Sequence, residues 1–198
     1  EGTRLATEHL LGLGHRRIVV ASVLRESRAP VFHEPGKARS LVAPITAMIE
    51  RLAGVGDALS AAGLSLDTMP IVEACTVAEA EALGSGPAMI LDRLGDATAV
   101  IALGDKLALA ILAEARARGI NVPRQLSVVG FDDFAPAAAA IPPLTTVNHD
   151  PVEAGRTAAR LLLEGGPPQD VVMPVKLVVR ASTAVRGPGV APDRRSSQ

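Results

Sequence analysis

The sequence predicts an α/β fold, a doubly wound parallel sheet with helices on both faces. Short β-branched runs such as Ile18-Val19-Val20-Ala21-Ser22-Val23 read as strands buried on both sides. Stretches with apolar residues at helical spacing alternate with those runs. The helical stretches stop at glycines, as at Gly12 and Gly14, Gly63 and Gly119. A chain of 198 residues that is 48% hydrophobic can bury a sizeable core. With aromatics at 2% and no Trp or Tyr, that core must be Leu, Val, Ile and Ala.

Each element follows in order. Leu5, Ala6, His9, Leu10 and Leu13 mark an opening helix, and Ile18–Val23 the first strand. Residues 24–44 carry Arg25, Arg28, Lys37 and Arg39 among Pro30, Pro35 and Pro44, which predicts a long exposed loop. Ile45, Met48, Ile49, Leu52, Val55 and Leu59 form the stripe of the next helix, and Pro70–Val72 a short strand. Val77–Leu83 and Ala88–Leu94 predict two helical pieces, separated by Gly84-Ser85-Gly86-Pro87. Ala99–Leu103 is a strand, and Leu107, Ile111, Leu112 and Ala115 make one helix face. Leu126–Gly130 is a strand, Ala137–Ala140 fits no single pattern, and Leu144–Val147 is extended. Asp150-Pro151 opens a helix to Glu164, because Asp caps well and Pro fits a first turn. Val175–Val179 closes the sheet. The Gly, Pro, Arg and Ser residues from Gly187 onward predict a disordered tail, so the organisation is a domain over 1–185 and a tail over 186–198.

Composition excludes several classes. A formal net charge of -1 supplies no global field for nucleic acid or an anionic membrane, so a DNA-contacting surface would lie outside this segment. Cys75 is the only cysteine, which rules out an intrachain disulfide and permits a reducing cytoplasm. No apolar run approaches the roughly 20 residues a membrane span needs, and no signal peptide is present. The chain starts at Glu1 within a helical pattern and reads as a fragment or a processed product.

A wound sheet binds ligands beyond the carboxyl ends of its strands. That rule selects Gly104-Asp105 and Asp132-Asp133. Asp105 reads as a helix N-cap, a ligand contact, or both. Asp132 and Asp133 suit turn and cap chemistry, or acceptance of sugar hydroxyls as charged acceptors. Acid-base or metal chemistry would need a further carboxylate or His nearby in sequence, and none is there. Arg51 is by spacing an exposed helix residue; its alternative is a five-donor fork for hydroxyls or a carboxylate. His149 stands alone, and His9, His15 and His33 lack metal-ligand spacing, so no metal site is expected. Gly84-Ser85-Gly86 follows no strand and makes no phosphate loop, and no nucleophile elbow occurs. No catalytic residue and no cofactor are therefore predicted.

Four blocks then form a familiar pattern: Gly2-Thr3-Arg4-Leu5 through Leu13-Gly14-His15-Arg16-Arg17-Ile18; Val122-Pro123 with Leu126-Ser127-Val128-Val129-Gly130-Phe131-Asp132-Asp133; Pro142-Pro143-Leu144-Thr145-Thr146-Val147; and Leu177 through Thr183. In this order they resemble the regulatory domain of the lac repressor/galactose repressor family over roughly residues 1 to 185. The resemblance implies a periplasmic-binding-protein-like fold, of which this chain holds mainly the second lobe and part of the first. It implies a small polar effector such as a sugar, operator DNA bound through an N-terminal helix-turn-helix absent from this chain, a homodimer, and a cytoplasmic location. By position, Arg51 resembles the family's effector-contacting Arg and Asp132 its hydroxyl-binding Asp. Gly104 stands where the family usually has Asn, and His149 where Gln is common. Residues 24–44 make a longer stretch than the family pattern. The helix from Asp105 to Arg118 and the segment after Asp133 resemble the family's dimer contacts.

The competing reading is a solute-binding protein of a sugar transporter, which shares the fold. An α/β enzyme using Asp132 and Asp133 is a third. The Gly-His-Arg-Arg-Ile and Pro-Pro-Leu-Thr-Thr blocks favour a ligand-responsive transcription regulator that is not an enzyme. A second lobe without its partner is expected to be marginally stable or to self-associate.

Overall fold

The alternation of apolar runs and helical stripes builds one wound sheet. The computed structural model describes residues 1–23, 30–37, 46–74 and 85–186. The elements are α1 (Gly2–Gly12), β1 (Ile18–Ser22), β2 (Val31–His33), α2 (Thr46–Ala61), β3 (Ile71–Glu73), α3 (Ser85–Asp92), β4 (Ala99–Ala102), α4 (Asp105–Ala117), β5 (Ser127–Phe131), α5 (Ala135–Ala139), β6 (Thr145–Asn148), α6 (Pro151–Glu164) and β7 (Lys176–Val178). The seven strands lie in the order β2-β3-β1-β4-β5-β6-β7. The interior pairings, from β3 through β6, are parallel, whereas both edge strands pair antiparallel.

Successive side chains of a strand point to opposite faces, so each buried strand feeds two cores. On β1, Ile18 and Val20 join α1 and α2 in one core, while Val19 and Ala21 join α3 and α4 in the other. The chain passes from β1 to β3 on one side, then back to β4 on the other. The ends of β1 and β4 therefore border the crevice where such sheets bind ligands. Helices α1 and α2 pack closely there. A Cβ at Gly54 of α2 would stand 2.5 Å from Thr3 Oγ1 and 3.3 Å from the Arg4 nitrogen, so only glycine permits this approach.

Several expectations are corrected. Val31–His33, inside the predicted loop, is an edge strand paired antiparallel with β3. Three residues carry no readable period; the edge of β3 makes them a strand. The rest of the predicted loop that falls on 24–29 and 38–44, and the Val77–Leu83 helix, lie outside the described residues. Helix α3 begins at Ser85, inside the predicted break, with Gly86 and Pro87 in its first turn. Proline is tolerated there because a first-turn N–H has no helical acceptor. Ala137–Ala140, which fitted no single pattern, contributes Ala137–Ala139 to the short helix α5. The predicted tail from 187 onward is outside the described residues. Arg186 itself donates its backbone N–H to Leu13 O at 2.9 Å, so the body extends through it.

Helix α6 is the exception to burial. It begins where Asp150-Pro151 predicts, with Asp150 Oδ1 accepting the Glu153 N–H at 3.0 Å. None of its residues is buried; Val152, Leu162 and Leu163 are 60%, 83% and 86% exposed.

Candidate functional site

Arg51 leaves the first half of α2 and reaches across the ends of the central strands. Its backbone is held first: Thr3 Oγ1 of α1 donates to Arg51 O at 2.6 Å. The guanidinium is held next. Nη1 donates to Leu103 O, just past β4, at 2.6 Å, and Cζ lies over the Phe131 ring, 3.8 Å from its centroid. What remains of the fork points at Asp132, with Nη2 3.1 Å from Oδ1. The exposed-helix reading of Arg51 thus fails; its side chain is 18% exposed and anchored on three sides. Sequence spacing could not reveal this, because Leu103, Phe131 and Asp132 lie far downstream.

Asp132 follows β5 in a strained turn, with φ of 118° at Asp132 and 56° at Asp133. Non-glycine residues adopt such angles only where the surroundings enforce them. The turn splits the two carboxylates. Asp132 faces Arg51 and His149, whose Nε2 lies 3.6 Å from Oδ1. The His149 ring stacks on Phe131, with centroids 6.1 Å apart and planes at 24°. Asp132 Oδ2 carries no hydrogen bond among the described residues. It lies 3.7 Å from where a Cβ of Gly104 would stand, so the missing side chain at Gly104 leaves this oxygen open. Arg51, Phe131, Asp132, Gly104 and His149 thus converge: an anchored cation, a ring, and an acceptor with a free edge.

Asp133 turns the other way. Its Oδ2 accepts from Asn148 Nδ2 at 2.8 Å and its Oδ1 from Arg180 Nη2 at 2.7 Å. Burial pushes this carboxyl up, but those two hydrogen bonds and the charges of Arg180 and Lys176 outweigh it and hold it below the usual carboxylate range.

Asp105 is not the N-cap. That position is Gly104, in extended backbone with no side-chain cap bond. Asp105 sits in the first turn, fully buried, and its carboxylate is engaged inside the protein. Oδ1 accepts from Thr146 Oγ1 at 2.5 Å, and Oδ2 from the Phe134 N–H at 2.9 Å. It therefore braces the turn that carries Asp132 and Asp133. Burial pushes its carboxyl above the usual range against the pull of those two bonds, and the neighbouring charges of Asp132 and Asp133 add to the rise. Gly130 makes room for it: a Cβ there would stand 2.2 Å from Asp105 Oδ1 and 2.9 Å from Leu144 Cδ2.

Reading by sequence missed Phe131, Asn148 and Arg180. The first had a signal, being one of three phenylalanines in a chain with no other aromatic side chain but histidine. The histidines other than His149 serve elsewhere. His15 is buried, with Nε2 donating to Ala184 O at 3.1 Å and Nδ1 2.8 Å from Thr98 Oγ1, and burial pulls its pKa down. His33 lies 3.1 Å from buried Glu73. Among the described residues no group of His, Cys, Asp and Glu could hold a metal ion.

Residues 7–183 match the family described as the periplasmic binding protein-like domain. The chain is 35% identical over 191 residues to the HTH-type transcriptional regulator CelR of Thermobifida fusca, covering 95% of this chain and 49% of that protein. Two solved structures are also similar. One, a complex of the transcriptional regulator CelR with cellobiose, superposes with a TM-score of 0.70 at 34% identity, over 91% of this chain and 51% of that one. The other is a dimeric Lac repressor with an 11-residue C-terminal deletion, with a TM-score of 0.74 at 26% identity, over 94% of this chain and 62% of that one. The chain spans about half the length of the curated relatives it matches. These relatives are regulators of transcription, which favours that reading over a transporter's solute-binding protein.

Proposed function

We propose that this chain, which belongs to the periplasmic-binding-protein-like domain family in the form carried by LacI-family transcription regulators, is the effector-sensing part of a sugar-responsive regulator. It acts by binding and not by catalysis, in the cytoplasm, as half of a homodimer whose operator contacts come from a helix-turn-helix outside these residues. No helix among the described residues is long and apolar enough to cross a membrane.

One observation carries the reading. Arg51 is fixed by Leu103 O and the Phe131 face, and it presents Asp132 with an oxygen left open. A sugar suits that arrangement: a hydroxyl donates to Asp132 Oδ2 while accepting from the fork, and the partly exposed His149 ring offers a face for its C–H groups. A charged acceptor strengthens such a bond, and the absent side chain at Gly104 leaves space for a wider ring.

The apolar face of α6 fits the same reading. In a protein about twice this length, the first lobe would cover Val152, Leu162 and Leu163 and close over the crevice from the other side. Closure around a bound sugar would then move the two halves of a dimer and the DNA-binding heads they carry.

Calorimetry with cellobiose, ribose and maltose on this chain tests the site. Arg51→Ala is expected to weaken the tightest of them at least about 30-fold, roughly 2 kcal/mol, because it leaves Asp132 unpaired. Asp132→Asn should cost a similar factor. Equal binding by wild type and both variants would move the site elsewhere.

A further inference from the structure

We propose that Asp133 is a positioning residue: with Arg180 and Asn148 it clamps together the two chain passages that lead into and out of α6, and the turn it shares with Asp132 couples that clamp to the effector site. The inference rests on the effector reading for its biological meaning, but its geometry stands alone.

The chain leaves the sheet at Asn148, the last residue of β6, and enters α6 at Pro151. It returns through β7 and reaches Arg180 two residues later. A single carboxylate holds both passages, since Asp133 accepts from Asn148 Nδ2 and from Arg180 Nη2. Each partner is tied further. Arg180 Nη1 donates to Leu144 O at 2.8 Å, and its backbone N–H to Thr145 Oγ1 at 2.9 Å. Asn148 Oδ1 accepts the Asp150 N–H at 2.8 Å, and Asp150 caps α6. A continuous relay therefore runs from Arg180 through Asp133, Asn148 and Asp150 to the first turn of α6.

Three features make this relay more than a local tie. Asp133 and Arg180 are 14% and 19% exposed, so their charge-assisted bonds are shielded from water and salt. The non-glycine residues with positive φ among the described residues are Asp133 and Asp150, both on this path, and Asp132 beside it. Helix α6 has no buried residue, so its direction relative to the sheet rests on these passages and not on packing. Any rotation of the Asp132 backbone that improves a ligand contact must turn Asp133, its covalent neighbour, and so load or release the clamp.

The test is a double-mutant cycle between Arg51→Ala, which acts on Asp132, and Arg180→Ala, which acts on Asp133. It is read by hydrogen exchange on the whole chain without ligand. Arg180→Ala is expected to speed exchange about tenfold over 148–151 and 176–180 while leaving β1 and β4 unchanged. Arg180→Lys, which keeps a charged donor, should restore part of that protection. Arg51→Ala should speed exchange about threefold over the same passages, and this effect should vanish once Arg180 is Ala. Independent, additive effects would overturn the coupling, because distant sites without shared partners add. If Arg180→Ala does not fold, Asp133→Asn replaces it in the cycle. A second arm adds cellobiose. Slower exchange over 148–151 and 176–180 in wild type, lost in Arg180→Ala at full cellobiose occupancy, supports the proposal; undiminished slowing in that variant overturns it. Absence of cellobiose binding in the wild type counts against the effector reading, and the ligand-free cycle still decides the clamp.

Discussion

Helices α4 and α6 are nearly the same length, 13 and 14 residues, and they follow opposite rules. α4 buries Asp105, Leu107, Ala108, Ile111, Leu112 and Ala115 against the sheet, whereas α6 buries nothing although its apolar and polar faces are the more sharply separated. One-sidedness therefore records that a helix has a face to cover, and not that this chain covers it. The difference also separates the molecule into a body held by packing and a helix held by a hydrogen-bonded relay.

The sharpest way to break that comparison is Gly130→Ala. Its new Cβ would collide with Asp105 and Leu144 beneath α4. Overpacking of this kind should cost about 3 kcal/mol, a fall in melting temperature of roughly 6–12 °C for a domain of this size. A fall under about 2 °C in a thermal melt would mean that the body yields as readily as α6.

Asp105→Asn should give a smaller, pH-dependent effect. Because the folded protein holds Asp105 above its ordinary range, the folded state binds the extra proton, and stability falls as pH rises through that raised value. Asp133 has the opposite sign: its folded value is lowered, so its contribution is present at neutral pH and lost as pH falls through that lowered value. Urea midpoints measured across the acidic range should lose the Asp105 slope in Asp105→Asn and the Asp133 slope in Asp133→Asn. Unchanged slopes in both would show that neither carboxylate differs between folded and unfolded chains.

The smallest effect is expected for Leu162→Glu with Leu163→Glu. Both side chains are exposed, so the melting midpoint should stay within about 0.5 kcal/mol of wild type at low protein concentration. Sedimentation should show less self-association, if the apolar face of α6 joins chains. A large loss of stability in a monomer would show that α6 is packed in solution.

The sequence was most legible where a local signal suffices. Asp150-Pro151 located the start of α6 because capping and proline geometry act within one turn. The β-branched runs located β1, β4 and β5 because strands buried on both faces need no alternation. Legibility failed where a residue's role is set from afar. β2 is a strand only because β3 offers it an edge. Arg51 spacing pointed to an exposed position, yet its partners are 52 and 81 residues away. Asp105 looked like a cap because its residue type and place fit one; the burial that diverts it comes from Gly130 and Thr146 on neighbouring strands. Resemblance by position, and not spacing, named Arg51 and Asp132 together, and the two side chains meet at 3.1 Å.

The stitching of the last described segment onto α1 has a consequence in time. Ser182 fills the gap beside β5, accepting the Val128 N–H on its carbonyl at 2.9 Å and donating its hydroxyl to Val128 O at 2.6 Å. Thr183 meets His9, Ala184 meets His15, and Arg186 meets Leu13. The His9–Thr183 contact joins residues 174 positions apart. During synthesis at about 5–20 residues per second, α1 and β1 therefore wait on the order of ten seconds or more for the strand of chain that completes their surroundings. These hydrogen bonds between the start and the end of the described body can form only after the chain has been made through Arg186.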